Sequence, residues 1–260
     1  MTKKLLSVTF TLMGIKERRT KILAALFFIN DLSFQPLELT DDIQKIFDIS
    51  LNPKTKSTLN ALVKEEYINE VKTDDKKTYQ ITDKGYDVLS LEFPFCRFLR
   101  STWDGKWRIL SYEIPEKKRE IRDKLRREVS GWGLGPWHRS FWLTPHPIIP
   151  NLKTLVSEKE EEQYVQAFES EHVFGDRAVL IEKVWELTML EKKYRQLFKA
   201  WHDILASQND KPTKLREVLS QYIDVLRVDP GLPPQLLGSN WIGYEGFKIF
   251  KEIRTILLTK

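Results

Sequence analysis

Apolar positions return every three or four residues along 54–66 and every second residue along 67–82. The first rhythm predicts a helix and the second a pair of strands. Asn52-Pro53 opens the helix, with Asn52 as cap and Pro53 at the first helical position. Leu59, Leu62 and Val63 mark its buried stripe, while Lys56, Ser57, Asn60 and Lys64 fall together on the other side. The strands Tyr67–Lys72 and Thr78–Thr82 flank the polar tip Thr73-Asp74-Asp75-Lys76-Lys77 and read as a hairpin. Upstream, Leu23–Asn30 is a solid apolar helix, and Thr40-Asp41-Asp42 starts a short one ending near Phe47. Downstream, Thr82-Asp83-Lys84-Gly85-Tyr86 caps a closing helix.

Helix, helix, hairpin is the order of a winged helix-turn-helix. A helix fits the major groove, where Asn, Ser and Lys reach base edges or phosphates, and a basic hairpin tip reaches the flanking backbone. The expected partner is double-stranded operator DNA. Lys56, Ser57 and Asn60 are the expected base or near-base contacts, and Lys54, Lys64, Lys76 and Lys77 the phosphate contacts. Asp74 and Asp75 at the tip would repel phosphate unless turned away.

Residues 103–184 change pattern. Trp107–Ile114 alternates as a strand that Pro115-Glu116 stops. The helix Glu116–Val129 then carries Ile121, Leu125 and Val129 on one narrow stripe, with Glu120 and Lys124 as an i,i+4 pair. Arg139–Leu143 reads as the second strand, Glu158–Phe168 as a second charged helix, Ser170–Phe174 as a further strand and Arg177–Val184 as the last. The sum is βαββαβ, a ferredoxin-like sandwich. Its basic residues Lys118, Arg119, Arg122, Arg126 and Arg127 are interleaved with acids and read as a solvated outer face, with phosphate contact as the alternative. Leu187–Ser207, Leu215–Leu226 and Tyr244–Leu258 are helical patterns joined by the proline-rich loop Asp229–Pro234. The expected domains are therefore 1–92, 93–187 and 188–260 in an α+β chain.

Charge adds little to this picture. The net charge is +5 over 260 residues. Residues 1–92 carry 14 basic and 14 acidic side chains, 93–187 carry 16 and 15, and 188–260 carry 12 and 8. The expected DNA reader is thus neutral overall, and any basic footprint is a local face. A single cysteine, Cys96, rules out a disulfide framework within the chain. No run approaches 18 apolar residues, so no membrane span is expected. Met1–Leu6 begins like a secretory signal, but Ser7, Thr9 and Thr11 break it and no small-residue cleavage site follows. The expected location is the cytoplasm.

Catalytic chemistry is not legible. His138, His146, His172 and His202 show no ligand spacing and read as structural or surface residues. Neither a Ser/His/Asp set nor a nucleotide-binding glycine motif is present, and no cofactor is expected.

Three blocks resemble the PaaX family, named for the repressor of the phenylacetic acid degradation operon. Lys56–Lys64 is similar to its recognition helix. Trp103-Asp104-Gly105-Lys106-Trp107-Arg108, with Ile114-Pro115-Glu116 and Leu125-Arg126-Arg127, is similar to its central domain. Asp229-Pro230-Gly231-Leu232-Pro233-Pro234-Gln235-Leu236-Leu237, with Trp241 and Gly243, is similar to its C-terminal signature, and Trp185-Glu186-Leu187 with Tyr194-Arg195 also fits. The resemblance implies a homodimeric repressor released from DNA by an aryl-coenzyme A thioester in phenylacetate catabolism, with the helical tail as dimerisation or effector domain. It also implies a central domain like the small CRISPR adaptation nuclease subunit, in which an Asp at the end of the first strand binds metal in some members. The matching residue here is Glu113, with Asp104 and Glu116 nearby in sequence. A metal-dependent nuclease or nucleic-acid scaffold using Glu113 is the rival reading. Two departures stand out: residues 31–52 are longer than the family's compact turn, and Gln221-Tyr222-Ile223 stands where the family tends to have a basic residue.

Overall fold

The computed structural model describes residues 17–73 and 76–259. The Met1–Leu6 segment and the tip acids Asp74 and Asp75 lie outside them. The chain forms two compact units, Met1–Leu89 and Ser90–Lys260.

In the first unit, α1 (Glu17–Asn30) places Ile22, Leu23, Ala25, Leu26 and Phe27 almost wholly out of water. It is followed by β1 (Leu37–Glu38), α2 (Asp41–Phe47), α3 (Pro53–Lys64), β2 (Ile68–Thr73), β3 (Lys76–Ile81) and α4 (Asp83–Glu92), which carries the chain out of the unit. The long segment 31–52 is thus not a simple turn. It supplies β1, which pairs antiparallel with β3 (Leu37 opposite Tyr79), and then α2. Thr40 caps α2, its hydroxyl accepting from the Ile43 amide, and Asp48 ends it in the left-handed region. β2 and β3 form the hairpin in the order β1-β3-β2. Thr82 begins α4 by accepting from the Gly85 amide at 3.0 Å while its hydroxyl donates to Tyr67 O. Gly85 is required there, because a Cβ would collide with that same Tyr67 carbonyl.

In the second unit, β4 (Lys106–Tyr112), α5 (Arg119–Gly131), β5 (Gly135–His138), β6 (Phe141–Thr144), α6 (Ile149–Val156) and β7 (Val165–Glu171) follow in chain order. The element order is βαββαβ, and the sheet order is β5-β6-β4-β7 with every neighbour antiparallel. Several segments differ from the expectation: β5 and α6 were not foreseen, and the strand expected over Ser170–Phe174 begins earlier, at Val165, and ends at Glu171. Glu158–Phe168 is not a helix: it is a 3-10 turn, Glu160–Tyr164, that runs into β7. Arg177–Val184 is not a strand but α7 (Arg177–Trp185), because Asp176 accepts from the Ala178 and Val179 amides and nucleates a helix.

Each face of the sheet is covered. On one, Leu110, Tyr112 and Trp142 pack with Leu125 and Val129 of α5 and Leu152 and Val156 of α6. On the other, Trp107 and Leu143 pack with Ile181 of α7 and with Leu232. The rest is helical: α8 (Leu187–Ala206), α9 (Lys211–Leu226), the short α10 (Pro234–Leu237) and α11 (Ile242–Leu258). Trp201, Tyr222 and Phe250 meet at its centre with ring centroids 5.0–6.4 Å apart. Such pairs contribute roughly 0.5–1.5 kcal/mol each beyond area burial. No helix among the described residues is long and apolar enough to cross a membrane.

Two sequence signatures are explained by this packing. In Trp103–Arg108, Asp104 accepts from the Arg108 guanidinium at 2.6 and 2.8 Å and from the Lys106 amide at 3.1 Å, which holds the turn into β4. Arg108, itself buried, also donates to Glu169 across to β7 at 3.1 Å. This guanidinium holds the Asp104 carboxyl below the usual carboxylate range. In Asp229–Pro234, the loop is pinned from several sides. Asp229 accepts from Tyr194 and from the Gly231 amide, and Pro230 O accepts from His146 Nε2 at 2.7 Å. Gly231 adopts φ +60° with its α-carbon hard against the Pro94–Phe95 backbone, a place with no room for a Cβ.

Candidate nucleic-acid interface

The candidate surface is built on α3. Asn52 Oδ1 accepts from the Thr55 amide at 3.0 Å and from its hydroxyl at 3.3 Å, and Pro53 fixes the first turn. Thr55, Leu59 and Leu62 are buried, so the helix is seated by one face. Val63, expected in that stripe, is only half-buried; Thr55 takes the position instead. The opposite face leaves Lys54, Lys56, Ser57, Asn60 and Lys64 exposed together. No ion pair to a described residue engages Lys54, Lys56 or Lys64. The helix therefore offers three cationic heads and two neutral hydrogen-bonding side chains to solvent.

The hairpin differs in detail from the expectation. Successive strand residues point to opposite faces, so Lys76 and Lys77 do not act side by side. Lys77 shares a face with Glu70, Lys72 and Tyr79 and lies 3.3 Å from Glu70. Lys76 lies on the other face, 3.1 Å from Glu38 of β1. Both pairs are solvent-exposed on the lysine side, where ion pairs contribute about 0–1 kcal/mol, so phosphate can displace the carboxylates. Lys72, opposite Lys77 in the ladder, is a further cation that the alternation of 67–72 contained and the reading passed over. Arg18 and Lys21 on α1 and Ser50 and Asn52 before α3 line an open groove of about 440 Å³. Nothing in the pattern marked Arg18 or Lys21, because only the fold brings α1 beside the α2–α3 turn.

The carboxylates considered for metal do not converge. Glu113 is exposed, Asp104 is bound by Arg108, and Glu116 is bound by Arg122 at 2.6 Å. Among the described residues no group of three His, Cys, Asp or Glu side chains is placed to hold a metal ion. Of the basic residues on and just before α5, Lys118 pairs with Glu160, Arg119 with Asp123, and Arg126 donates to the Tyr112 hydroxyl at 2.7 Å. His146 is fully buried, stacked on Phe98 at 4.9 Å. Burial and the nearby Arg97 hold its pKa well below the ordinary value. His138 and His202 are exposed, and His172 contacts Gly175 O. Tyr222, in the stretch that departs from the family, is buried against Trp201 and Phe250 and is part of the core.

A cleft of about 400 Å³ opens in the second unit where the β5 start, the end of α7 and the Arg227–Pro230 segment meet. Lys183, Arg227, Ser130 and Trp185 line it together with the acids Glu186 and Asp229, giving charges of both signs beside an aromatic wall. Its size is within the range of small-ligand pockets.

Comparison with known proteins agrees with this architecture. The PaaX protein central Cas2-like domain matches residues 100–179, and the PaaX-like protein C-terminal domain matches residues 185–260. No curated protein matches the chain. Among solved structures, the uncharacterized protein Rv0674 from Mycobacterium tuberculosis is similar in fold, with TM-score 0.53 and 18% identity over 92% of this chain and 95% of that one. With both domain matches in order over more than half its length, the chain belongs to the PaaX family of regulators.

Proposed function

We propose that this chain is a DNA-binding transcriptional repressor. The first unit is its winged helix-turn-helix reader, with α3 as the recognition helix and the β2–β3 hairpin as the wing. The observation that carries the reading is the exposed Lys54/Lys56/Ser57/Asn60/Lys64 face on a helix whose other side is buried and whose start is capped. Such a face combines base-edge donors and acceptors with phosphate-directed cations. Two copies would read two half-sites of an operator.

The second unit supplies coupling and sensing. An effector that prefers the DNA-incompetent state would shift the population off the operator. The cleft where Trp185 stands among Lys183, Arg227, Glu186 and Asp229 is the candidate place for a small polar aromatic ligand, and the family resemblance makes aryl-coenzyme A thioesters the compounds to try first.

The test is an anisotropy titration of the protein against DNA from its own upstream region, at two salt concentrations, with and without Mg²⁺. The expected result is sequence-specific, metal-independent binding without cleavage. Binding with no sequence preference, or Mg²⁺-dependent loss of the DNA that Glu113→Gln abolishes, would overturn the repressor reading in favour of a nuclease.

A further inference from the structure

In the second unit α4 and α5 end on the same side chain. Ser90 O and Leu91 O, in the last turn of α4, accept from Arg97 Nε at 2.9 Å and Nη2 at 3.4 Å. Trp132 O, just past α5, accepts from Arg97 Nη1 at 2.9 Å. One guanidinium thus satisfies carbonyls at two helix C-termini. Each of those last turns also carries a carboxylate out of full contact with water: Glu92 on α4 is half-buried, and Glu128 on α5 is buried. Negative charge at a helix C-terminus is disfavoured, and two neighbouring carboxylates disfavour each other's ionisation. Glu128 Oε1 is buried with no hydrogen-bond partner among the described residues. Around Glu128 stand Lys124 and Arg127 of its own helix and Lys159. The cation that acts on Glu92 is Arg227, which follows α9 and also feels Asp224. Burial and Glu128 push the Glu92 carboxyl up, and Arg227 pulls it down.

The same Arg227 lines the cleft of about 400 Å³, where Lys183 and Trp185 stand near it. Pro94, two residues past the end of α4, forms part of the wall. Of the two acids there, Glu186 is exposed, and Asp229 turns its oxygens to Tyr194 and the Gly231 amide. No histidine is among the described residues that line the cleft.

We propose that Arg227 couples the cleft to the end of α4: an aromatic anion held by Arg227 in the cleft binds together with a proton, which Glu92 takes up from solvent. The inference rests on the reading of the cleft as a ligand site and adds its regulation. Once the ligand engages Arg227, Glu92 keeps Glu128 as its neighbour and loses its counter-charge, so the neutral acid is the favoured form. The unused Glu128 Oε1 is an acceptor near that proton. Ligand and proton then favour each other by the same factor, and the ligand binds more tightly on the acid side. The coupling requires no DNA.

The experiment is calorimetric titration of the full chain with benzenesulfonate, an aryl anion whose own charge is constant between pH 6 and pH 8. Wild type should bind roughly three- to tenfold more tightly at pH 6 than at pH 8, which corresponds to a further rise of roughly half to one in the Glu92 pKa. At pH 7.5 its binding heat should vary with the ionisation enthalpy of the buffer, the mark of proton uptake. Glu92→Gln resembles the neutral acid and should bind equally at both pH values, as tightly as wild type at pH 6. Arg227→Gln should bind several-fold more weakly at pH 6 and lose most of the pH dependence. Binding that needs Arg227 but ignores pH, or a pH dependence that survives Glu92→Gln, overturns the coupling and leaves the ligand site standing. Absence of benzenesulfonate binding, or binding that Arg227→Gln leaves unchanged, overturns the ligand site and the coupling with it. Should Glu92→Gln fold poorly, the wild-type buffer series decides: a heat independent of buffer at pH 7.5 overturns the proposal.

Discussion

The hydroxyl of Tyr194 donates to Oδ2 of Asp229 at 2.6 Å, with both residues almost fully buried. Burial pushes the Asp229 carboxyl up, and the hydrogen bonds from Tyr194 and the Gly231 amide oppose that push. Tyr194→Phe keeps the ring and removes the donor. It should lower stability by about 1–3 kcal/mol, the cost of leaving a buried polar group unpaired, and shift the urea midpoint accordingly. An unchanged midpoint would mean that the contact is passive.

Glu92 gives the second unit a pH dependence. Burial, then the neighbouring Glu128, raise its pKa from 4.5 to about 7, while Arg227 pulls it down. Folding therefore favours the protonated acid. This contribution is full below pH 4.5 and is lost as pH rises through about 7. At about 1.4 kcal/mol per pH unit the loss is at most roughly 3 kcal/mol. Glu92→Gln should flatten denaturation midpoints measured between pH 5 and 8, and a variant as pH-dependent as wild type would disprove the assignment.

On α3, Asn60 and Lys64 should separate specificity from affinity if that helix reads DNA as proposed. Asn60→Ala should cost roughly 1–3 kcal/mol on the cognate site and little elsewhere. Lys64→Ala should weaken all sequences alike and reduce the salt slope by about one unit. If both bind like wild type across a salt series, α3 is not the reader.

Lys76 and Lys77 sit on opposite faces and hold different acids. Changing both to Ala should move thermal stability by no more than about 1 kcal/mol, as for exposed ion pairs. If only one lysine contacts phosphate, one single variant should reproduce the entire DNA-binding defect of the double variant.

Gly85→Ala tests the junction between hairpin and α4. The added methyl meets the Tyr67 carbonyl and the Ile81 side chain. The expected loss is about 1–3 kcal/mol, typical of overpacking, read as an earlier melting transition of the first unit.

The first unit was largely legible because its signals are local. Thr40, Asn52 and Thr82 sit at helix starts and bond the amides that such residues usually bond. In the central sheet, β4 and α5 were legible for the same reason, whereas the first part of β7 was read as helix and a strand was placed only from Ser170 on. Alternation reveals a strand only when one face is buried, and β7 is exposed on both, so its Gln and Glu residues read as a charged helix. Val179-Leu180-Ile181 read as a strand by its β-branched run, and the Asp176 cap reversed that. The exposed lysines of α3 were placed correctly by periodicity. The facing directions of Lys76 and Lys77, the contribution of Lys72 and the approach of α1 depend on tertiary packing that no spacing records.

The loop through Asp229, Pro230 and Gly231 acts as a keystone. Pro230 and Gly231 fit against His146, Gly133 and the Pro94–Phe95 backbone, all of which precede them by more than eighty residues. A chain cut short before this loop would lose more than its last helices: the central sheet would keep an uncovered apolar face, and His146 would lose its hydrogen-bond acceptor. Premature termination near the end of the gene should therefore produce aggregation of the whole second unit, not a protein that merely lacks its last helices.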